Sequence, residues 1–352
     1  MPQPDTLAGV DFTDNGPFRR SRRDFLTGTA GKRAAGDDYW IRVHRRAMAC
    51  RFEITLASQD AGWVPAARTA LNDIDRIESE LSIFRDDSVV THINRCAADR
   101  PVEVDDELFD LLDRCGQMYR ATDGAFDVTS TALSRCWGFL QRDGRVPPAD
   151  VIASARACVG YEAVDLDRTK RTVGFCRSGL EINLGAVGKG FALDRVASGM
   201  RKIGASHALL SAGRSSLLAI GGRGLGWHVD VVSPRRSETV GDRLLARVWL
   251  RDAAIGTSGA GEQFVIADGT RYGHVVDPRT GWPASGVLSA SAIASSAETA
   301  DALSTAFLIG GAELAERYCA AHLGVMALVT PEDRSSTLVF GKHDGALVKT
   351  ID

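Results

Sequence analysis

The chain has 352 residues, 44% of them hydrophobic and 25% charged, with a formal net charge of −3. That length supports one large domain or two ordinary ones with a full core, and the composition is that of a globular protein. No basic excess is present to attract nucleic acid or an anionic membrane surface. The seven cysteines (Cys50, Cys96, Cys115, Cys136, Cys158, Cys176 and Cys319) are scattered and never form a Cys-x-x-Cys pair, which argues against a zinc site or a disulfide framework. No apolar run reaches the length of a transmembrane helix.

Residues 1–38 are polar, glycine-rich and aperiodic, and read as a disordered leader. Ser21 to Leu26 (SRRDFL) is similar to a twin-arginine export signal, but Thr27 to Asp38 (TGTAGKRAAGDD) lacks the apolar stretch that should follow. The leader alone thus favours a degenerate signal or an unstructured basic arm, on a cytoplasmic protein. Folded structure is expected over 39–352 as one domain of two lobes. Arg51 to Leu56 alternates like a half-buried strand, and Ala67, Leu71, Ile74, Ile77 and Leu81 mark a long amphipathic helix from Trp63. A Ser/Asp loop and a short helical run follow, then a second amphipathic helix over Glu107 to Tyr119. Gly179 to Met200 reads as strand, glycine loop and helix, and Ala208 to Ile220 is an apolar run ending in Gly221-Gly222. Strands are predicted at Trp227–Val232, Leu244–Leu250 and Glu262–Ile266. A helix runs from Ser295 to Ile309, with Ser295 and Glu298 at capping-box spacing and Gly310-Gly311 closing it. Strands and helices occur in clusters, which favours an α+β fold over a doubly wound sheet.

Four segments carry candidate chemistry. Asp301 and Thr305 stand four apart on the last helix and project from one face, an all-oxygen pair suited to magnesium. Read alone, they are better explained by an exposed Asp and a Thr bonding back into its own helix. Asn183 to Asp194 (NLGAVGKGFALD) is a glycine turn opening a helix near Lys189, an arrangement that binds phosphate. Its spacing excludes a Walker A loop, although most such turns are only turns. In Arg271 to Pro283, His274 sits on a short apolar strand before the Asp277-Pro278 turn, where it could act as a general base or be purely structural. Gly124 to Thr129 and Cys136 to Phe139 place aromatics near glycines, as a wall for a flat ring or as core.

Together and in order, these segments resemble the FAD:protein FMN transferases, the ApbE-like flavin transferase family. The resemblance runs through Met48-Ala-Cys50, Leu81-Ser-Ile-Phe-Arg-Asp-Asp-Ser88, Gly124-Ala-Phe-Asp127, Asn183-Leu-Gly-Ala-Val-Gly-Lys-Gly190 and Ala212-Gly213-Arg214. It continues with Thr257-Ser-Gly259, His274-Val-Val-Asp-Pro-Arg-Thr-Gly281 and Ala300-Asp-Ala-Leu-Ser-Thr305, from about residue 40 to the end. It implies a T-fold-like α+β domain with a mainly antiparallel sheet, flanking helices and an FAD cleft between two lobes. FAD would be the substrate, contacted by Met48, Phe84, Ala125, Phe126, Asp127, Asn183, Lys189, Ser258 and His274. Mg2+ would be held by Asp301, Thr305 and the main-chain carbonyl of Ala186. His274, with Asp277, would take the proton of an acceptor protein's threonine as FMN is transferred and AMP released. Family analogy also implies an exported, periplasmic site of action.

Three positions depart from the family pattern: Asn183 replaces an Asp, Ala212-Gly-Arg-Ser215 replaces Ala-Gly-Gly-Asp, and Met48-Ala-Cys50 replaces Met-Gly-Thr. Two alternatives share the same residues: a Mg-dependent FAD pyrophosphatase giving FMN and AMP, and a non-catalytic FAD-binding protein.

Overall fold

The computed structural model describes residues 9–13, 26–29, 39–234, 244–259, 261, 263–333 and 336–351. At its centre is a nine-stranded sheet whose spatial order follows the chain. The strands are β1 (Gly9–Thr13), β2 (Trp40–Ala47), β3 (Cys50–Ala57), β4 (Ala208–Ala212), β5 (Ser216–Ile220), β6 (Ala254–Gly259), β7 (Val287–Ala294), β8 (Met326–Pro331) and β9 (Leu338–Gly341). Every neighbouring pair is antiparallel. The expected α+β fold with a mainly antiparallel sheet is found.

Both faces of the central strands are covered, which explains why Ala208 to Ile220 reads as a nearly unbroken apolar run. Alternate residues belong to different cores. Ala208, Leu210, Ala212, Leu218 and Ile220 face the helices, while Leu209, Leu217 and Ala219 face the other side. The first side is packed by α1 (Val64–Leu81), α6 (Gly188–Lys202) and α7 (Ala297–Ala321). The second is packed by a four-stranded sheet formed from Leu26–Thr29, Trp227–Val232, Leu244–Leu250 and Ala346–Thr350. Helices α2 (Val89–Cys96), α3 (Asp106–Ala121), α4 (Thr131–Cys136) and α5 (Ala149–Arg156) lie with a three-stranded sheet over the remaining flank. A separate small core of Leu133, Trp137, Phe139, Ile152, Val159 and Val276 holds α4 and α5 to the 276–282 turn.

Several expectations are modified. Within the leader, β1 pairs with β2, and Leu26–Thr29 pairs with Trp227–Val232. The rest of the leader, including Arg22 and Arg23, lies outside the described residues. No strand precedes the glycine loop; Glu181 makes one isolated parallel bridge to Ser130. His274 follows the end of the Thr270–Gly273 strand instead of lying on it. The last helix starts at Ala297 with Ser296 as its cap, accepting from the Thr299 amide at 3.2 Å. Glu298 has no capping-box role there. It takes a forked ion pair from Arg114 (2.6 and 2.8 Å) instead. Gly311, at φ 67°, ends the first helical stretch as expected, but a second one follows directly across the kink.

Small residues let α6, α7 and the sheet approach closely. A methyl group on Gly190 would lie 2.1 Å from the Ala297 carbonyl oxygen, and one on Gly256 would lie 2.5 Å from that of Ala300. Gly190→Ala therefore opposes two effects: helix propensity favours Ala by ~1 kcal/mol, whereas overpacking against rigid backbone costs ~1–3 kcal/mol. Chemical denaturation should show net destabilisation by Gly190→Ala; increased stability would contradict this packing.

Candidate functional site

The glycine loop leaves its backbone bare just where α6 begins, and α7 crosses that point. The Gly190 amide donates to Asp301 Oδ2 at 2.7 Å, so a carboxylate of α7 caps the start of α6. The relation is returned. Asp194, one turn into α6, accepts from Ser296 Oγ and from the Ala297 and Glu298 amides, each at 2.9 Å. The two helices cap each other, and their register follows from those four bonds.

Asp301 is buried, with 5% of its surface exposed. Burial pushes its carboxyl up to about 6, against the opposing influence of Lys189, the Ser216 hydroxyl and the Gly190 amide. One turn on, Thr305 Oγ1 lies 3.4 Å from the Asp301 carbonyl and 3.3 Å from Ser258 Oγ. The hydroxyl thus bonds back into its helix, yet a donated proton leaves its oxygen lone pairs available. Ser258 also meets Ser304 Oγ at 2.9 Å. Lys189 donates to Ser215 Oγ.

These groups share a cavity of about 340 Å³ with Ala125, Phe126, Asp127, Asn183, Ala186 and His274. Asn183 Oδ1 accepts from the Gly185 amide at 2.9 Å, bracing the glycine loop as a carboxylate would. Asp127 is buried against Thr129, whose amide and hydroxyl both lie 2.7 Å from Oδ1, and burial raises its carboxyl to about 6. His274 Nδ1 sits 3.3 Å from the Gln263 carbonyl. A carbonyl only accepts, so Nδ1 carries a proton, and in the neutral ring the lone pair is on Nε2.

Three of the anticipated residues do not line this cavity. Met48 occupies the two-residue turn between β2 and β3, and its amide donates to Glu78 at 2.8 Å. Phe84, 76% exposed, lines an adjoining cavity with Ile83, Arg95, Arg135 and Leu140, and Leu140 borders both spaces. Asp277 holds the 277–281 turn, accepting from Arg279 Nε at 2.9 Å and Nη2 at 2.8 Å, while its carbonyl takes the Gly281 amide at 2.8 Å. Arg214, at φ 69°, is not among the residues lining the cavity either.

The donors present fit a hard cation. They comprise the buried carboxylates of Asp301 and Asp127, hydroxyls and main-chain oxygen, which suits Mg2+ provided that ligand phosphates and water complete its shell. Among the described residues there is no cluster of three or more His, Cys, Asp or Glu side chains that could hold a metal unaided.

The sequence model of the ApbE family matches residues 48–329. The chain belongs to the ApbE family. It is 30% identical to the FAD:protein FMN transferase of Treponema pallidum over 302 residues, covering 81% of this chain and 82% of that protein. The Escherichia coli K12 enzyme of the same description is 28% identical over 268 residues, covering 74% and 76% of the two chains. The ApbE protein of Thermotoga maritima superimposes with a TM-score of 0.76 at 30% identity, covering 87% of this chain and 97% of that one. The flavin transferase ApbE of Vibrio cholerae (TM-score 0.73, 23% identity, 86% and 97% covered) shares the fold.

Ser215 and Asp194 were not singled out from sequence. Ser215 stands where the family's acidic residue is expected, and only the β4–β5 hairpin brings it to Lys189. Asp194 lies one turn past the glycine loop, but nothing local shows that it caps another helix. Asp194→Ala removes the acceptor for three donors. A loss of ~1–2 kcal/mol in unfolding free energy is expected, together with weaker Mg2+ binding by calorimetry; unchanged stability and Mg2+ binding would refute the reciprocal cap.

Proposed function

We propose that the protein is a Mg2+-dependent FAD:protein FMN transferase that moves FMN from FAD onto a threonine hydroxyl of an acceptor protein, releasing AMP. The observation that carries this reading is the meeting of Asp301, Thr305, Lys189 and the α6 N-terminus in one cavity with His274. A buried carboxylate and hydroxyl suit a cation, while the lysine and bare helix start suit phosphate. The family's curated relatives carry the same activity in their names.

In this mechanism, Asp301, Thr305 and the Ala186 carbonyl would hold Mg2+, which would supply charge neutralisation for the pyrophosphate. Lys189 and the glycine loop orient the phosphates, and Phe84, in the adjoining cavity, offers an aromatic face to the flavin. His274 Nε2 accepts the threonine proton while the threonine oxygen attacks the phosphorus on the FMN side. The bridging P–O bond breaks and AMP departs with that oxygen. Asp277 acts through the turn that follows His274. Positioning and charge neutralisation supply most of the rate for such transfers.

Asn183 and Ser215 leave the site with less negative charge than the family pattern, yet each makes a hydrogen bond that holds the loop or the lysine in place. That favours retained chemistry over passive FAD binding.

Incubation with FAD, Mg2+ and a threonine-containing acceptor should add the mass of FMN to the acceptor, read by intact mass spectrometry. Chelation should abolish labelling and restored Mg2+ should recover it. Asp301→Asn should leave no detectable transfer, and His274→Ala should lower the rate by ~10²–10⁴. AMP and free FMN without labelling would identify a pyrophosphatase, and unconsumed bound FAD would identify a binding protein.

A further inference from the structure

A second cavity, about 480 Å³, lies beside the one just described and shares two lining residues with it, Asp127 and Pro278. Its walls come from the end of α3 and the following turn (Tyr119, Asp123, Gly124), the last turn of α5 (Ala153, Arg156, Ala157), Gly160 and Glu162, and Arg279. Nothing in the reaction as derived uses this space.

Its chemistry differs from that of the Phe84 cavity. Tyr119 Oη donates to Glu162 at 2.5 Å, Asp123 pairs with Arg317, and Arg279 is forked onto Asp277. Arg156 is exposed on the rim and has no ion-pair partner among the described residues. Acidic, basic and hydroxyl side chains therefore all border the walls, groups that can meet a polypeptide main chain. The volume falls within the usual range for ligand clefts, ~300–1,000 Å³. The α5 rim is exposed at Ala153, Arg156 and Ala157, so a protein-sized partner can reach it.

Resting on the transferase reading, we infer that this groove receives the acceptor protein, as an extended segment that lies across the α5 rim and passes its hydroxyl over Pro278 and Asp127 to His274. Continuity with the reaction cavity sets the direction, since Pro278 is four residues beyond His274 and borders both spaces. The unpaired Arg156 guanidinium selects a carboxylate or a main-chain carbonyl on the incoming segment. The occupant is a peptide segment because the groove opens at the exposed α5 rim and runs on into the reaction cavity, so a protein partner can enter from solvent and reach His274.

The test uses the full-length protein, FAD, Mg2+ and a pool of short threonine-containing peptides, with Arg156→Glu and, to fill the groove from the exposed face of α5, Ala153→Trp. Three readings are taken: FMN mass gain on peptides, FAD affinity from flavin fluorescence, and release of FMN and AMP without peptide. Both variants should lose at least about tenfold in peptide labelling, while FAD affinity and peptide-free release stay within about twofold of wild type. Weakened FAD binding in both variants would assign the groove to FAD and overturn the inference. Unchanged labelling in both would place the acceptor elsewhere and also overturn it. Wild-type protein that releases FMN and AMP but labels no peptide would fail the transferase reading itself, a distinct outcome that removes this inference with it.

Discussion

Four hydrogen bonds between α6 and α7 govern the arrangement on which everything else rests. Asp301 takes the Gly190 amide, and Asp194 takes the Ser296 hydroxyl and the Ala297 and Glu298 amides. Helix starts present unsatisfied donors and partial positive charge, so each carboxylate is stabilised by the helix that it caps. The crossing is close because Gly190 and Gly256 present no side chain to the α7 backbone. A buried carboxylate is thereby held beside the glycine loop, at a point that neither helix could create alone. Its charge is only partly compensated, with Lys189 the main opposing influence, and that leaves a place for a cation.

Much of this was legible in the sequence because it is local. Amphipathic spacing located α1 and α3 to within about two residues. The i, i+4 relation put Asp301 and Thr305 on one face, and motif order placed the glycine loop, His274 and the 125–127 segment in one cavity. What failed was pairing at a distance. Ser295 and Glu298 have capping-box spacing, but the tertiary partners Asp194 and Arg114 are better placed, so the cap shifts to Ser296. The apolar strand expected at His274 stops at Gly273, although the His274 amide still donates to the Gln263 carbonyl at 3.0 Å in register with the hairpin. The role of Ser215 could not be read either, since a hairpin loop brings it to Lys189.

The departures from the family pattern also find physical accounts. Ala49 sits at φ 56° in the β2–β3 turn, where glycine would be unstrained, a modest local cost of ~1–2 kcal/mol. Arg214 also adopts a left-handed conformation, and it lies outside the lining of the cavity that holds Asp301 and His274. Cys50, at the start of β3, is held as a thiol: burial raises it to about 11 in spite of nearby Lys189. It is therefore a poor nucleophile despite its closeness to the lysine.

The central claim is that the α6–α7 crossing builds a cation site with Asp301 and Thr305 as protein ligands. Anomalous diffraction from crystals grown with FAD and Mn2+ in place of Mg2+ tests it most directly. The account predicts one anomalous peak at coordination distance from the Asp301 carboxylate and Thr305 Oγ1, adjoining the glycine loop and a phosphate oxygen. A peak at Asp127 or elsewhere, with Asp301 still bonded only within the protein, would contradict it.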